Sequence, residues 1–131
     1  MLSAVVRARP HAAKDVSMAG VVGTLGMLAE ASGWGAELDV ESIPRPPRAG
    51  LSDWLTCFPG LAMVTCDQPG ASFADPGAAV SATCGSLTAA PGVRLRWPDG
   101  ELTEALAGDV SGLGAAGAAA NANESKTTSR R

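Results

Sequence analysis

Asp15 and Ser17 are the residues of this chain best suited to chemistry, because they stand two positions apart just ahead of an apolar segment. Ser17 is a good helix N-cap, and a carboxylate in the preceding turn favours the positive end of the helix dipole. The same place offers free N–H groups to an anion, so capping and anion binding both fit these residues. Asp15 has no acidic neighbour, and one carboxylate binds magnesium weakly, since that ion usually takes one or two carboxylates together with phosphate oxygens. His11 is the single histidine, and Cys57, Cys66 and Cys84 are widely spaced, so neither type supplies a metal cage. A Cys57 nucleophile would need His11 brought beside it, and Ser17 lacks the GxSxG setting of a hydrolase elbow. The glycines of GVVGTLG fit neither GxGxxG nor a phosphate-binding GK[ST] loop.

These residues must be positioned by a small set of elements. The segment after Ser17 places Val21, Leu25 and Leu28 at helical spacing, with Val22 beside them and Gly33 suited to the left-handed position past a helix end. The pattern predicts a helix over 18–32. Gly20, Gly23 and Gly26 cost this helix about 1 kcal/mol each relative to alanine. Their spacing suggests one small-residue face, for close packing on a sheet or for the approach of a ligand or partner. Ala36, Leu38 and Val40 alternate with Glu37, Asp39 and Glu41, which predicts a half-buried strand whose acids form a wet outer face or a polar cleft edge.

Beyond the proline-rich loop PRPPRAG, Leu51 to Cys57 reads as a short helix entered through Ser52 or Asp53. Leu61 to Cys66 is an apolar run suited to a central strand. Asp67 to Gly77 contains two Pro-Gly pairs and reads as a loop, and strands are expected over 79–87 and 93–97. Pro98-Asp99-Gly100 predicts a tight turn into ELTEAL, read as a strand or one helical turn. From Gly114 the chain has almost no bulky apolar residue, so 114–131 is expected to be a disordered tail after a domain spanning 1–113. The expected fold class is α+β, a mostly antiparallel sheet with a helix packed across it, partly ferredoxin-like.

Composition narrows the function classes. Of the 131 residues, 46% are apolar but 4% are aromatic, so Val, Leu and Met must build the core around Trp34, Trp54, Phe58, Phe73 and Trp97. The net charge of −3 and scattered Arg45, Arg48, Arg94 and Arg96 read as solvated surface and give no nucleic-acid footprint. The three cysteines read as small core residues of a protein in a reducing, cytoplasmic setting. No stretch approaches the roughly 20 apolar residues of a membrane span, and MLSAVVRARP is not a convincing signal peptide.

The succession AAKDVSMAG, GTLGMLAEASG, GAELDVESIPRP and DWLTCFPGLAMV resembles the C-terminal domain of the superfamily of aminoimidazole ribonucleotide (AIR) synthetase, selenophosphate synthetase, thiamine-monophosphate kinase and the hydrogenase-maturation dehydratase, the PurM-like fold. It is most similar to AIR synthase-related proteins of nitrogen-starvation gene clusters, over roughly 12–113. The resemblance implies a C-terminal half whose glycine-bearing helix lies over a cleft, with magnesium and ATP phosphates held by the acidic residues of a nucleotide-binding N-terminal half. It implies that Asp15, Ser17 and Gly20 stand where the family's Asp-x-Ser/Thr-x-Gly turn faces phosphate or metal, with the N–H groups of Ala19 and Gly20 and the charge of Lys14 beside them. Asp15 is the implied metal ligand and Mg-ATP the implied cofactor, bound together with a partner half. Met18 stands where the kinase branch has a second aspartate, and MLSAVVRARP is the only stretch that could be a remnant of the preceding half. Two readings follow: a domain that completes the substrate and ATP cleft of an ATP-dependent synthetase or kinase-like assembly, or a non-catalytic interaction or regulatory domain that kept the fold and lost the chemistry.

Overall fold

A helix that carries no charge until its last turn has no face to give to water. In the computed structural model, which describes residues 2–17, 20–57, 62–71, 79–108 and 110, that helix is α2 (Gly20–Ala31), and every residue from Gly20 to Gly26 is buried, as are Ala29 and Glu30. Such all-round burial marks a helix at the centre of a domain rather than one lying on its surface. The single apolar stripe expected from Val21, Leu25 and Leu28 is therefore part of a wider burial. The described helix begins at Gly20; Met18 and Ala19, the first two residues of the expected helix, lie outside the described residues.

The other elements gather around it: α1 (Leu2–Ala8), β1 (Ala12–Asp15), β2 (Gly35–Asp39), α3 (Leu51–Thr56), β3 (Met63–Cys66), β4 (Gly85–Thr88), β5 (Val93–Arg96) and β6 (Leu102–Leu106). A four-stranded sheet runs in the order β4-β2-β5-β6, and a second sheet pairs β1 with β3. Three of the four pairings are antiparallel and β2 with β5 is parallel, so the fold is α+β with a mostly antiparallel, mixed sheet and a helix across it. Helix α2 touches α3 and β1, β2, β3, β5 and β6. The core joins Val21, Val22, Leu25 and Ala29 of α2 to Ala36 and Leu38 of β2 and to Val93 and Leu95 of β5, with Leu55 of α3 and Val16.

Several elements differ from their sequence signals. Strand β3 is half-buried throughout and pairs with β1 in the small sheet, because its apolar run faces α2 and not a second layer of strands. Strand β4 begins at Gly85, later than the expected 79, and β1 and α1 are too short to carry a readable periodicity. Helix α3 is entered at Gly50 with no side-chain cap, so neither Ser52 nor Asp53 plays that part. ELTEAL resolves as strand: the Trp97 N–H bonds the Glu101 carbonyl, Gly100 takes φ +87°, and β6 follows. Trp34 is 47% exposed, whereas Trp54 and Trp97 pack partly buried against the core. Phe58, Phe73, most of the 67–77 loop and the tail from 114 lie outside the described residues.

Two glycines set the ends of α2. Gly33 takes φ +76°, while the Trp34 N–H bonds the Ala29 carbonyl at 2.9 Å and the Gly33 N–H bonds the Glu30 carbonyl at 3.0 Å, a Schellman closure. Gly20 takes φ +66°, and a Cβ there would lie 2.5 Å from the Leu55 oxygen and 2.8 Å from the Cys57 oxygen. The end of α3 thus rests directly on the backbone of α2. Gly26 points elsewhere, toward Leu106 and Val110, so the glycines do not share one face: six residues at 3.6 per turn rotate them about 120° apart.

The two helix-end glycines should therefore respond differently to a methyl group. Gly33→Ala, with nothing within 4 Å of its Cβ, is expected to cost about 1–2 kcal/mol for the left-handed backbone alone. Gly20→Ala adds a backbone clash and should cost at least about 3 kcal/mol. Urea denaturation of both variants measures this, and equal losses would contradict the tight seating of α3.

Candidate functional site

The residues singled out at the helix entrance come from one short path, the end of β1 and the turn into α2. Strand β1 pairs antiparallel with β3, Lys14 opposite Val64 and Asp15 opposite Met63. Alternation leaves Lys14 half-buried and Asp15 exposed at the strand's end. Val16 then turns inward, 3% exposed, and its N–H bonds the Ala62 carbonyl at 2.8 Å. Ser17 is half-buried. Its N–H donates to Thr24 Oγ1 at 3.1 Å, and its carbonyl accepts the Gly20 N–H at 3.0 Å.

This geometry divides the expected residues. Lys14, Asp15 and Ser17 lie together along the β1 end, Asp15 exposed and the other two half-buried. The Gly20 N–H is already bonded to Ser17, and the side of Gly20 where a Cβ would stand is filled by the end of α3. Gly20 serves packing first. Ala19 lies outside the described residues. Ser17 fixes the helix entrance through its backbone, three residues before the first helical position.

Thr24 is the partner that motif reading missed. It is fully buried, and its hydroxyl ties the strand-to-helix turn to the second turn of α2. Its one sequence signal is a hydroxyl within the otherwise apolar run GVVGTLG, seven residues after Ser17. The acids of β2 lie on the outer face of the sheet, and both are engaged there. Glu37 receives Arg96 Nε at 2.8 Å from the neighbouring parallel strand, and Asp39 caps the following turn by accepting from the Glu41 N–H and the Ser42 hydroxyl. Arg96 is thus an ion-pair partner and not simply solvated surface.

Among the described residues no group of three His, Cys, Asp or Glu side chains could hold a metal ion. Asp15 is a single exposed carboxylate, which does not make a complete magnesium cage. Cys57 is exposed, unlike the core residue its sequence setting suggested. Burial first, then Asp67, pushes the Cys66 thiol above the ordinary range, and burial first, then Asp39, does the same to Cys84.

The profile of the family described as AIR synthase related protein, C-terminal domain, matches residues 1–97. An uncharacterized protein of Methanocaldococcus jannaschii is 43% identical over 54 residues, 41% of this chain and 17% of its own length. An uncharacterized protein of Synechocystis is 41% identical over 58 residues, 44% of this chain and 18% of its own length. The chain therefore matches less than a fifth of the length of either relative. No solved structure matches.

Removing the Thr24 hydroxyl while keeping its shape should leave the Ser17 N–H without its acceptor. Thr24→Val is expected to cost about 1–3 kcal/mol in urea unfolding, and Thr24→Ser should keep the bond and lose less. A neutral Thr24→Val would mean the bond contributes nothing. The cysteines give a pH prediction of definite sign. A thiol whose pKa is raised by folding stabilises the native state fully below the unfolded pKa of about 8.5, and that contribution is lost as pH rises through the higher folded value. Stability of the native chain should therefore fall above about pH 8.5 more steeply than that of Cys66→Ala/Cys84→Ala. Parallel slopes in urea titrations at several pH values would rule this out.

Proposed function

This chain belongs to the family of AIR synthase related C-terminal domains, and we propose that it completes the substrate and ATP cleft of an ATP-dependent enzyme of that family. The match over residues 1–97 is the observation that carries the reading. The nucleotide-binding half is an N-terminal PurM-like domain, supplied by the same polypeptide or by a separate subunit. Three free thiols, at Cys57, Cys66 and Cys84, suit work in the reducing cytoplasm.

The reaction class is activation of an oxygen by phosphoryl transfer, where positioning and charge neutralisation supply most of the acceleration. Mg-ATP brings the transferable phosphoryl group and its metal. The exposed Asp15 carboxylate holds the metal–phosphate unit from this side, and the Lys14 ammonium offsets phosphate charge. The Ser17 hydroxyl binds a phosphate oxygen. Thr24 keeps that hydroxyl in place by holding the backbone of residue 17. With one carboxylate here, the remaining metal ligands belong to the other half, which makes the chain a contributor to a shared site.

Two measurements test this. Mg-ATP added to the isolated chain should leave its melting temperature within about a degree, whereas ligand at a hundred times its dissociation constant would raise it by several degrees. Such a rise would mean a complete nucleotide site in this chain. In the assembly with the nucleotide-binding half, Asp15→Ala should lower ATP turnover by roughly a hundredfold while leaving the melting temperature unchanged. Undiminished turnover would remove Asp15 from the site and favour a non-catalytic interaction domain.

A further inference from the structure

The family match stops at Trp97, but the packed structure continues past it. Pro98 to Gly100 turn the chain, β6 pairs with β5, and the Trp97 indole N–H bonds Thr103 Oγ1 at 2.7 Å across that hairpin. Strand pairing ends at Leu106, opposite the fully buried Val93. The chain then meets α2 at two places four residues apart, hence on one helix face. Gly26 leaves a notch: a Cβ there would stand 2.6 Å from Val110 Cγ2 and 2.8 Å from Leu106 Cδ1. One turn on, the buried Glu30 carboxyl accepts the Val110 N–H at 2.8 Å through Oε2.

We propose that Leu106 and Val110 form a C-terminal strap, seated in the Gly26 notch and fastened at Glu30, that locks α2 against the sheet. The two contacts are of different kinds, one a shape match and the other a hydrogen bond, and they converge on the same residue, Val110. The seat is shallow, since Val110 keeps 39% of its surface exposed. Because the β5–β6 ladder ends at Leu106, the Val110 end can lift while the sheet stays paired. Lifting uncovers Gly26 and the Glu30 carboxyl. The strap is therefore a latch whose opening is a local event, separable from unfolding.

The test uses the full chain and amide hydrogen exchange. Val110→Pro removes the donor N–H and should speed exchange of the α2 amides from Gly26 to Ala31 roughly tenfold, with β2 and β5 amides still protected. No change, or equal acceleration across the sheet, would overturn the strap. A thermal cycle of Gly26→Ala, Val110→Ala and the double variant checks the notch independently. The methyl group added by Gly26→Ala takes the space that Val110 Cγ2 gives up, so the double variant should lose several degrees less than the sum of the single losses. Additive losses would mean that Val110 does not sit in the notch.

Discussion

Everything in this domain is arranged around the burial of α2. A helix enclosed on all sides must let its neighbours come close, and close approach requires small residues where those neighbours are backbone. At Gly20 the neighbour is the carbonyl end of α3, which no side chain on α2 could admit. At Gly26 it is the chain returning from β6. The helix gives up about 1 kcal/mol of propensity per glycine, and the burial of Val21, Val22 and Leu25, at about 1.5–3 kcal/mol for each large apolar side chain, offsets it. Gly20 and Gly26 are thus explained by packing in two directions, without any ligand.

The same constraint determines what is left for chemistry. Because the Gly20 N–H bonds Ser17 and the Ser17 N–H bonds Thr24, the turn between β1 and α2 is held by the protein's own atoms. What faces outward is a short strand end, where alternation presents Asp15 and half-covers Lys14. Among the described residues, this strand end is sparse in metal ligands.

The sequence made some of this legible and hid the rest for physical reasons. The α2 helix, the alternation of Ala36 and Leu38 in β2, the left-handed Gly33 and the Pro98–Gly100 turn were readable because each depends on local periodicity or local backbone geometry. Strand β1 was not, since its four residues carry no clear alternation of apolar side chains, and β4 was expected to begin earlier than Gly85. The apolar run ending at Cys66 looked like a central strand because hydrophobicity reports burial and not which element does the burying. Cys57 and Trp34 read as core by residue type, yet both are exposed just past helix ends. At the candidate site, Asp15 and Ser17 were found from their place before a helix. The roles of Thr24 and of Glu37 with Arg96 depend on partners 7 and 59 residues away, which no local motif records.

The sheet shows why α2 must carry so much of the packing. Ala36, Leu38, Val93 and Leu95 point to the helix side, while Glu37, Asp39, Arg94 and Arg96 occupy the opposite face. With charge on that face, the sheet has one apolar side to bury, and α2 is the element that covers it. An exposed ion pair such as Glu37–Arg96 contributes at most about 1 kcal/mol, so it cannot replace that cover. With few large aromatics available, small aliphatic side chains must fill the interface, and their packing depends on short distances between backbones. Hence the glycines on α2, the buried aliphatic residues beside them and the polar outer face of the sheet are aspects of one solution: a core made thin enough for Val, Leu and Ala to close it.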